Sequence, residues 1–159
     1  MNPAHLHLII NHVPLVGTAL TLLLLVVALW KKSEELKRVS LWFLVLMAAV
    51  SVPAYLTGEP AEEIVERIPG ISQAVIEGHE EAAQWAFGGQ IALGLLAMVG
   101  LLVGRVRQRL PNGFAVALLV LALVVGALMA RTANLGGLIR HPEIQGSQAP
   151  SASSHNDDQ

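Results

Sequence analysis

Six histidines and no cysteine bound the chemistry open to this 159-residue chain. Five of the six sit beside apolar segments: His5, His7 and His12 in "HLHLIINHVPL", His79 in "EGHEEAA" and His141 in "LIRHPEI". Neutral imidazole ligates iron, copper and zinc, and it is the side chain whose unperturbed titration falls near neutral pH. Without thiols, covalent c-type haem attachment, thiolate zinc sites, four-cysteine iron–sulfur clusters and disulfides are excluded. Two chemistries remain. One is a b-type haem with histidines as axial ligands. The other is a Cu or Zn ion held by His, with Glu62, Glu80 or Glu143 adding a carboxylate. The "HEEAA" stretch begins like a zincin helix but has no second His four residues on. A Ser-centred elbow, a phosphate loop and paired intramembrane carboxylates are all missing, so no enzymatic reaction is assigned.

The elements that must position these histidines are membrane helices. Hydrophobic residues make up 53% of the chain and charged ones 14%, against roughly 25% charged in an average soluble domain. Four apolar stretches, at 13–30, 39–56, 82–104 and 114–130, approach or reach the roughly 20 residues needed to cross a hydrocarbon core of about 30 Å. None carries a charge in its middle. Backbone groups in lipid must pair within their own segment, so the predicted fold is all-α: a four-transmembrane-helix bundle, residues 1–144. The Ser-, Gln- and Asp-rich remainder, 145–159, which contains His155, is expected to be disordered. The first apolar stretch lacks a preceding cation and a small-residue cleavage site, and is read as a spanning helix rather than a signal peptide.

Charge orients the bundle. Lys31, Lys32, Lys37 and Arg38 separate the first two spans, and Arg105, Arg107 and Arg109 separate the last two. These loops are expected to face the cytoplasm. Both termini and the long middle connection then lie outside, at the periplasmic side of a bacterial inner membrane. That face holds ten of the twelve acidic residues, which excludes nucleic acid as a partner. It also holds all six histidines.

Local patterns refine the placement. Asn2-Pro3 reads as a helix start, so helix geometry precedes the apolar run. His5 and His12, seven apart, then share a face, while His7 is turned about 140° from His12 unless Pro14 distorts the turn. The connection "TGEPAEEIVERIPGISQAVIEGHEE" predicts two short amphipathic helices on the outer surface, one with Ile64, Val65 and Ile68 as its apolar stripe, broken by Pro69-Gly70, and one with Ile71, Val75 and Ile76. From His79 a face of Ala82, Ala83, Ala86, Gln90, Leu93, Gly94 and Ala97 continues inward. Small residues at this spacing serve helix packing, and they equally leave a slot for a flat cofactor. For a haem, His12 and His79 are the first-choice ligands, with His7 and His141 as further candidates and His5 a weaker one. Arg131 and Arg140 either anchor the last helix at the headgroups or pair with propionates.

Three stretches carry a resemblance: "HLIINHVP", "LTGEPAEE" and "LGGLIRH" are similar to motifs of DUF2231, a family of small bacterial four-helix membrane proteins. The similarity spans roughly residues 5–143, with His7, His12 and His141 at the matching histidines and His79 at a looser position. Leu8 stands where many relatives have proline, and "HVP" replaces "HFP". Joining of related domains to Rieske or cytochrome modules implies an electron-transfer role, with a respiratory or redox complex or a periplasmic electron carrier as partner. A purely structural membrane subunit is the third reading of the same residues.

Overall fold

The computed structural model describes residues 3–67 and 71–141, the side chains of residues 3 and 140 excepted, and those residues fold into six helices. These are α1 (Pro3–Ile10), α2 (His12–Trp30), α3 (Glu34–Leu56), α4 (Gly58–Val65), α5 (Gln73–Arg107) and α6 (Asn112–Arg140). Helices α2, α3, α5 and α6 form an up-down bundle in which α2 packs on α3, α3 on α5, α5 on α6, and α6 closes the ring onto α2. Each carries a span long and apolar enough to cross a bilayer. The short α1 lies against α4, and together they cover one end of the bundle.

Every spanning helix is longer than its apolar run, because polar residues at its ends are helical too. Ser33 caps α3 by accepting the Leu36 amide at 3.3 Å, and Glu34 and Glu35 in the first turn complement the helix dipole. At 35 residues α5 is about 52 Å long, some 20 Å more than a hydrocarbon core. The excess carries His79. Of the two amphipathic helices expected outside, the first is α4. The second does not stand alone: Val75 and Ile76 lie in the opening turns of α5, since no proline lies between Gln73 and Arg107 and the helix tolerates its glycines, the adjacent Gly88 and Gly89 included. Expectations for Ile68, Pro69, Gly70, Glu143, His155 and the tail fall outside the described residues.

Buried positions recur at three- and four-residue spacing: Thr18, Thr21, Leu25 and Ala28 on α2; Leu41, Leu44, Ala48 and Ser51 on α3; Ala86, Gln90, Leu93 and Ala97 on α5; Ala115, Leu118, Ala122 and Val125 on α6. The opposite faces are as apolar as the core. Leu20, Leu23, Val26, Leu95, Leu102, Val120 and Leu123 are all exposed, as lipid-facing surfaces must be. Lipid offers no hydrophobic drive between helices, so close approach and polar links hold them together. Gly94 lets α5 approach Ala48 so nearly that an added Cβ would collide with its methyl group, and Gly17 does the same for Met47. Across the core, the Thr18 hydroxyl donates to Gln90 Oε1 at 3.3 Å, both residues being fully buried.

Pro14 shapes the start of the chain. It has no amide to donate to the Ile10 carbonyl, so one hydrogen bond is missing at Asn11, between α1 and α2, although Asn11 keeps helical angles (φ −61°, ψ −27°) and the two helices form one continuous path. At the other end, Lys31–Ser33 makes a tight turn in which Ser33 N donates to Ala28 O at 3.0 Å and Lys32 N to Leu29 O at 3.2 Å. This is a Schellman closure with Lys32, at φ 51°, in the left-handed position that glycine normally takes.

A charge usually found in water is buried here. Lys37, counted from sequence among the loop cations, is 1% exposed. Its ammonium donates to Glu34 Oε1 at 2.8 Å, Asn112 Oδ1 at 2.6 Å and the Leu110 carbonyl at 3.3 Å. Glu34 Oε2 in turn accepts the Leu110 amide at 2.8 Å. All three ammonium protons are satisfied, and α3 is pinned to the start of α6.

Candidate histidine site at the outer rim

Three histidines share one hydrogen-bonding habit. His7 Nδ1 lies 3.1 Å from the Ala54 carbonyl and 3.2 Å from Thr57 Oγ1; His79 Nδ1 is 2.9 Å from the Thr132 carbonyl; His12 Nδ1 is 3.1 Å from the Leu8 carbonyl. A carbonyl oxygen can only accept, so each Nδ1 carries the proton. In the neutral ring Nε2 then keeps its lone pair. That tautomer is the one in which metal-ligating histidines are commonly fixed, with the distal N–H tied to a backbone carbonyl or a carboxylate.

The acceptors differ in origin. Ala54 is three residues from the end of α3, where carbonyls lose their intrahelical partners. His7 therefore ties α1 to α3, with the Thr57 hydroxyl donating to the same carbonyl at 3.0 Å. His79 ties α5 to α6. His12 bonds only back along its own helical turn and is exposed, whereas His7 and His79 are half-buried. Measured by axial rise from the basic turn of each helix pair, His7 lies about 36 Å out and His79 about 39 Å, with His12 nearer the bilayer centre at about 28 Å. His7 is within Coulombic reach of both His79 and His12.

Glycines admit the rings. A Cβ at Gly136 would lie 3.1 Å from His79 Cε1 and 3.4 Å from its Nδ1, so with any other residue the imidazole would have to give way by a few tenths of an ångström. At Gly58 an added Cβ would be in ordinary contact with His7 Cε1, at 3.7 Å. Nothing in the sequence linked Gly136 with His79; the pairing of "LGG" with an upstream His emerges only when α5 and α6 are side by side.

The other candidates scatter. His5 is exposed on α1, and His141, also exposed, ends α6 with its amide bonded to the Gly137 carbonyl at 3.0 Å. Arg131 is exposed next to Thr132, and the Arg140 side chain lies outside the described residues. Glu62 has Glu80, Glu66 and Glu59 as charged neighbours rather than a histidine. Among the described residues no three His, Asp or Glu side chains converge as a metal-ion cage. The small-residue face of α5 is used in packing: Ala82 and Ala86 are buried, and Gly89, where a Cβ would come within 3.0 Å of Val125, lies against α6.

A family model described as "Predicted membrane protein (DUF2231)" matches residues 3–141, nearly the whole described chain. No curated protein and no solved structure matches it.

Proposed function

Because the chain belongs to DUF2231, a family of predicted membrane proteins, we propose from its own geometry that it is a membrane-embedded b-type haem protein serving electron transfer. In this reading the Nε2 atoms of His7 and His79 are the axial ligands. The observation that carries it is the shared tautomer: two half-buried imidazoles on different helices, each with Nδ1–H held by a backbone carbonyl of a third or fourth helix. The number of imidazoles favours haem over a bare ion. A porphyrin supplies four nitrogens, so its iron asks one or two side chains of the protein, whereas a zinc site asks three or four.

His7 takes the place first given to His12 because it stands at the level of His79 and bonds across helices. With the Ala82–Ala86 face closed by packing, the macrocycle belongs at the rim, where Arg131 is available to a propionate. Bound there, haem supplies a one-electron couple; the chain's residues orient its ligands and set its exposure. The asymmetry of Lys and Arg supports cytoplasmic basic loops and an outward-facing rim, within reach of an outer electron carrier.

The test is to express the chain with haem precursor supplied, purify it in mild detergent, and record its absorbance, pyridine haemochrome and metal content. A Soret band that His7→Ala and His79→Ala each remove or shift, and that His5→Ala leaves alone, is the expected result. Colourless protein under haem supply refutes the proposal, and stoichiometric Cu or Zn in that protein replaces haem with a metal ion.

A further inference from the structure

We infer that the basic end of the bundle holds an anionic phospholipid, in a cleft between α3 and α5 whose mouth carries Arg38 and Arg109. The inference is independent of the rim histidines, which lie at the opposite end.

The cleft is lined by Arg38, Gln108 and Arg109 at its polar edge and by Leu41, Gly100 and Leu101 on its apolar side. Glu34 also lines it, and an uncommitted carboxylate there would repel an anion. This one is committed: one oxygen takes the Lys37 ammonium and the other the Leu110 amide. The pair, Lys37 buried and Glu34 about one-third exposed, cancels to no net charge. Arg38 and Arg109 are both exposed, and among the described residues the sole ion pair is that of Lys37 with Glu34. Arg109 is within Coulombic reach of Glu34 but in no ion pair with it, so both guanidiniums can face a ligand, with a Gln amide beside them.

The surroundings select lipid over a free anion. The cleft opens where spanning helices end, at the headgroup level, and Leu101 on its apolar side is only half-buried, towards the lipid. A guanidinium pair suits a phosphodiester bidentately, while the Leu41–Leu101 wall suits the start of an acyl chain. Gly104 lines the cleft and borders open space: a Cβ added there would meet nothing within 4 Å, so a longer side chain has room to enter it. Basic pockets between spanning helices are a recurrent binding mode for acidic lipid headgroups.

The experiment uses purified protein in a neutral detergent, titrated with phosphatidylglycerol, phosphatidylcholine or inorganic phosphate. Thermal unfolding and lipid retention in native mass spectrometry are the readouts. Wild type is expected to gain stability from phosphatidylglycerol and retain it in preference to phosphatidylcholine. Loss of two cations near a surface, in Arg38→Gln/Arg109→Gln, should cut that preference roughly tenfold or more. Gly104→Leu keeps every charge but fills the cleft, so it should lose the preference as well, and it decides the matter if the double Arg variant does not fold. Arg105→Gln/Arg107→Gln removes the same charge outside the cleft and should leave the preference intact. Phosphatidylglycerol preference that survives Gly104→Leu, falls equally in the Arg105/Arg107 variant, or is matched by inorganic phosphate overturns the inference.

Discussion

Adjacent glycines in α6 give a sharp test of the His79 site, because Gly136→Ala and Gly137→Ala should diverge although both replace Gly by Ala in the same helical turn. In a helix interior Ala is favoured over Gly by about 0.8–1.0 kcal/mol, and somewhat less near an end. A Cβ at Gly137 meets nothing within 4 Å, so that variant should keep the gain. At Gly136 the new methyl lies 3.1 Å from His79 Cε1, inside the roughly 3.5–4.0 Å preferred by carbon pairs, and the ring must retreat by roughly half an ångström. Thr132 and Gly136 are four apart and lie on one face of α6. Retreat from one is therefore retreat from the other, and the 2.9 Å bond to the Thr132 carbonyl leaves the usual range of about 2.7–3.2 Å. Losing that bond costs about 1 kcal/mol, which cancels the helix gain. Gly136→Ala should thus be no more stable than wild type, about 1 kcal/mol below Gly137→Ala. Reversible unfolding in mixed micelles measures the difference, and diethyl pyrocarbonate labelling mapped to His79 measures release of the ring, expected to be several-fold faster in Gly136→Ala alone. Equal stabilisation of both variants with unchanged His79 labelling would refute the packing of the imidazole on Gly136.

Two further outcomes concern the basic end. Lys37→Met removes the cation from a buried network and strands Asn112 Oδ1 and the Leu110 carbonyl; breaking a fully buried pair costs about 3–5 kcal/mol, and because Glu34 is 34% exposed a loss of roughly 2–3 kcal/mol is expected, read as a lower unfolding midpoint. Lys32→Gly relieves a left-handed residue in the α2–α3 turn without touching its hydrogen bonds, and should raise stability by about 1 kcal/mol in the same assay.

The two ends of the bundle were legible to different degrees. All four spans could be placed from hydropathy, and α4 from its amphipathic period. The second amphipathic stretch could not be told from a free helix, since continuity with α5 depends on the absence of a breaker rather than on a positive signal. Lys37 looked like one loop cation among four. Glu34 supplies one acceptor from the preceding turn, but only the return of the chain at Leu110 and Asn112, more than seventy residues away, supplies the other two and closes the site. Among the histidines, helical angles set His7 apart from His12 and put His12 first as a ligand; the partner carbonyls at Ala54 and Thr132, which single out His7 and His79, belong to other helices and left no trace near either ring.

By itself the sequence determined that this chain crosses a membrane four times, which end is basic, and that its histidines collect at the other. Those are properties of composition along each segment, and hydration free energy sums them locally, whatever the neighbours are. Tertiary structure alone decided the ring order of the helices, the burial of Lys37, the cleft beneath Arg38 and Arg109, and the orientation of His7 and His79. Each of these depends on how far a helix is rotated and on acceptors that arrive from distant parts of the chain. A helix that is apolar on every side carries no label for which face will meet protein and which lipid; the close approach at Gly94 and Gly17 and the polar links through Thr18 and Gln90 supply it.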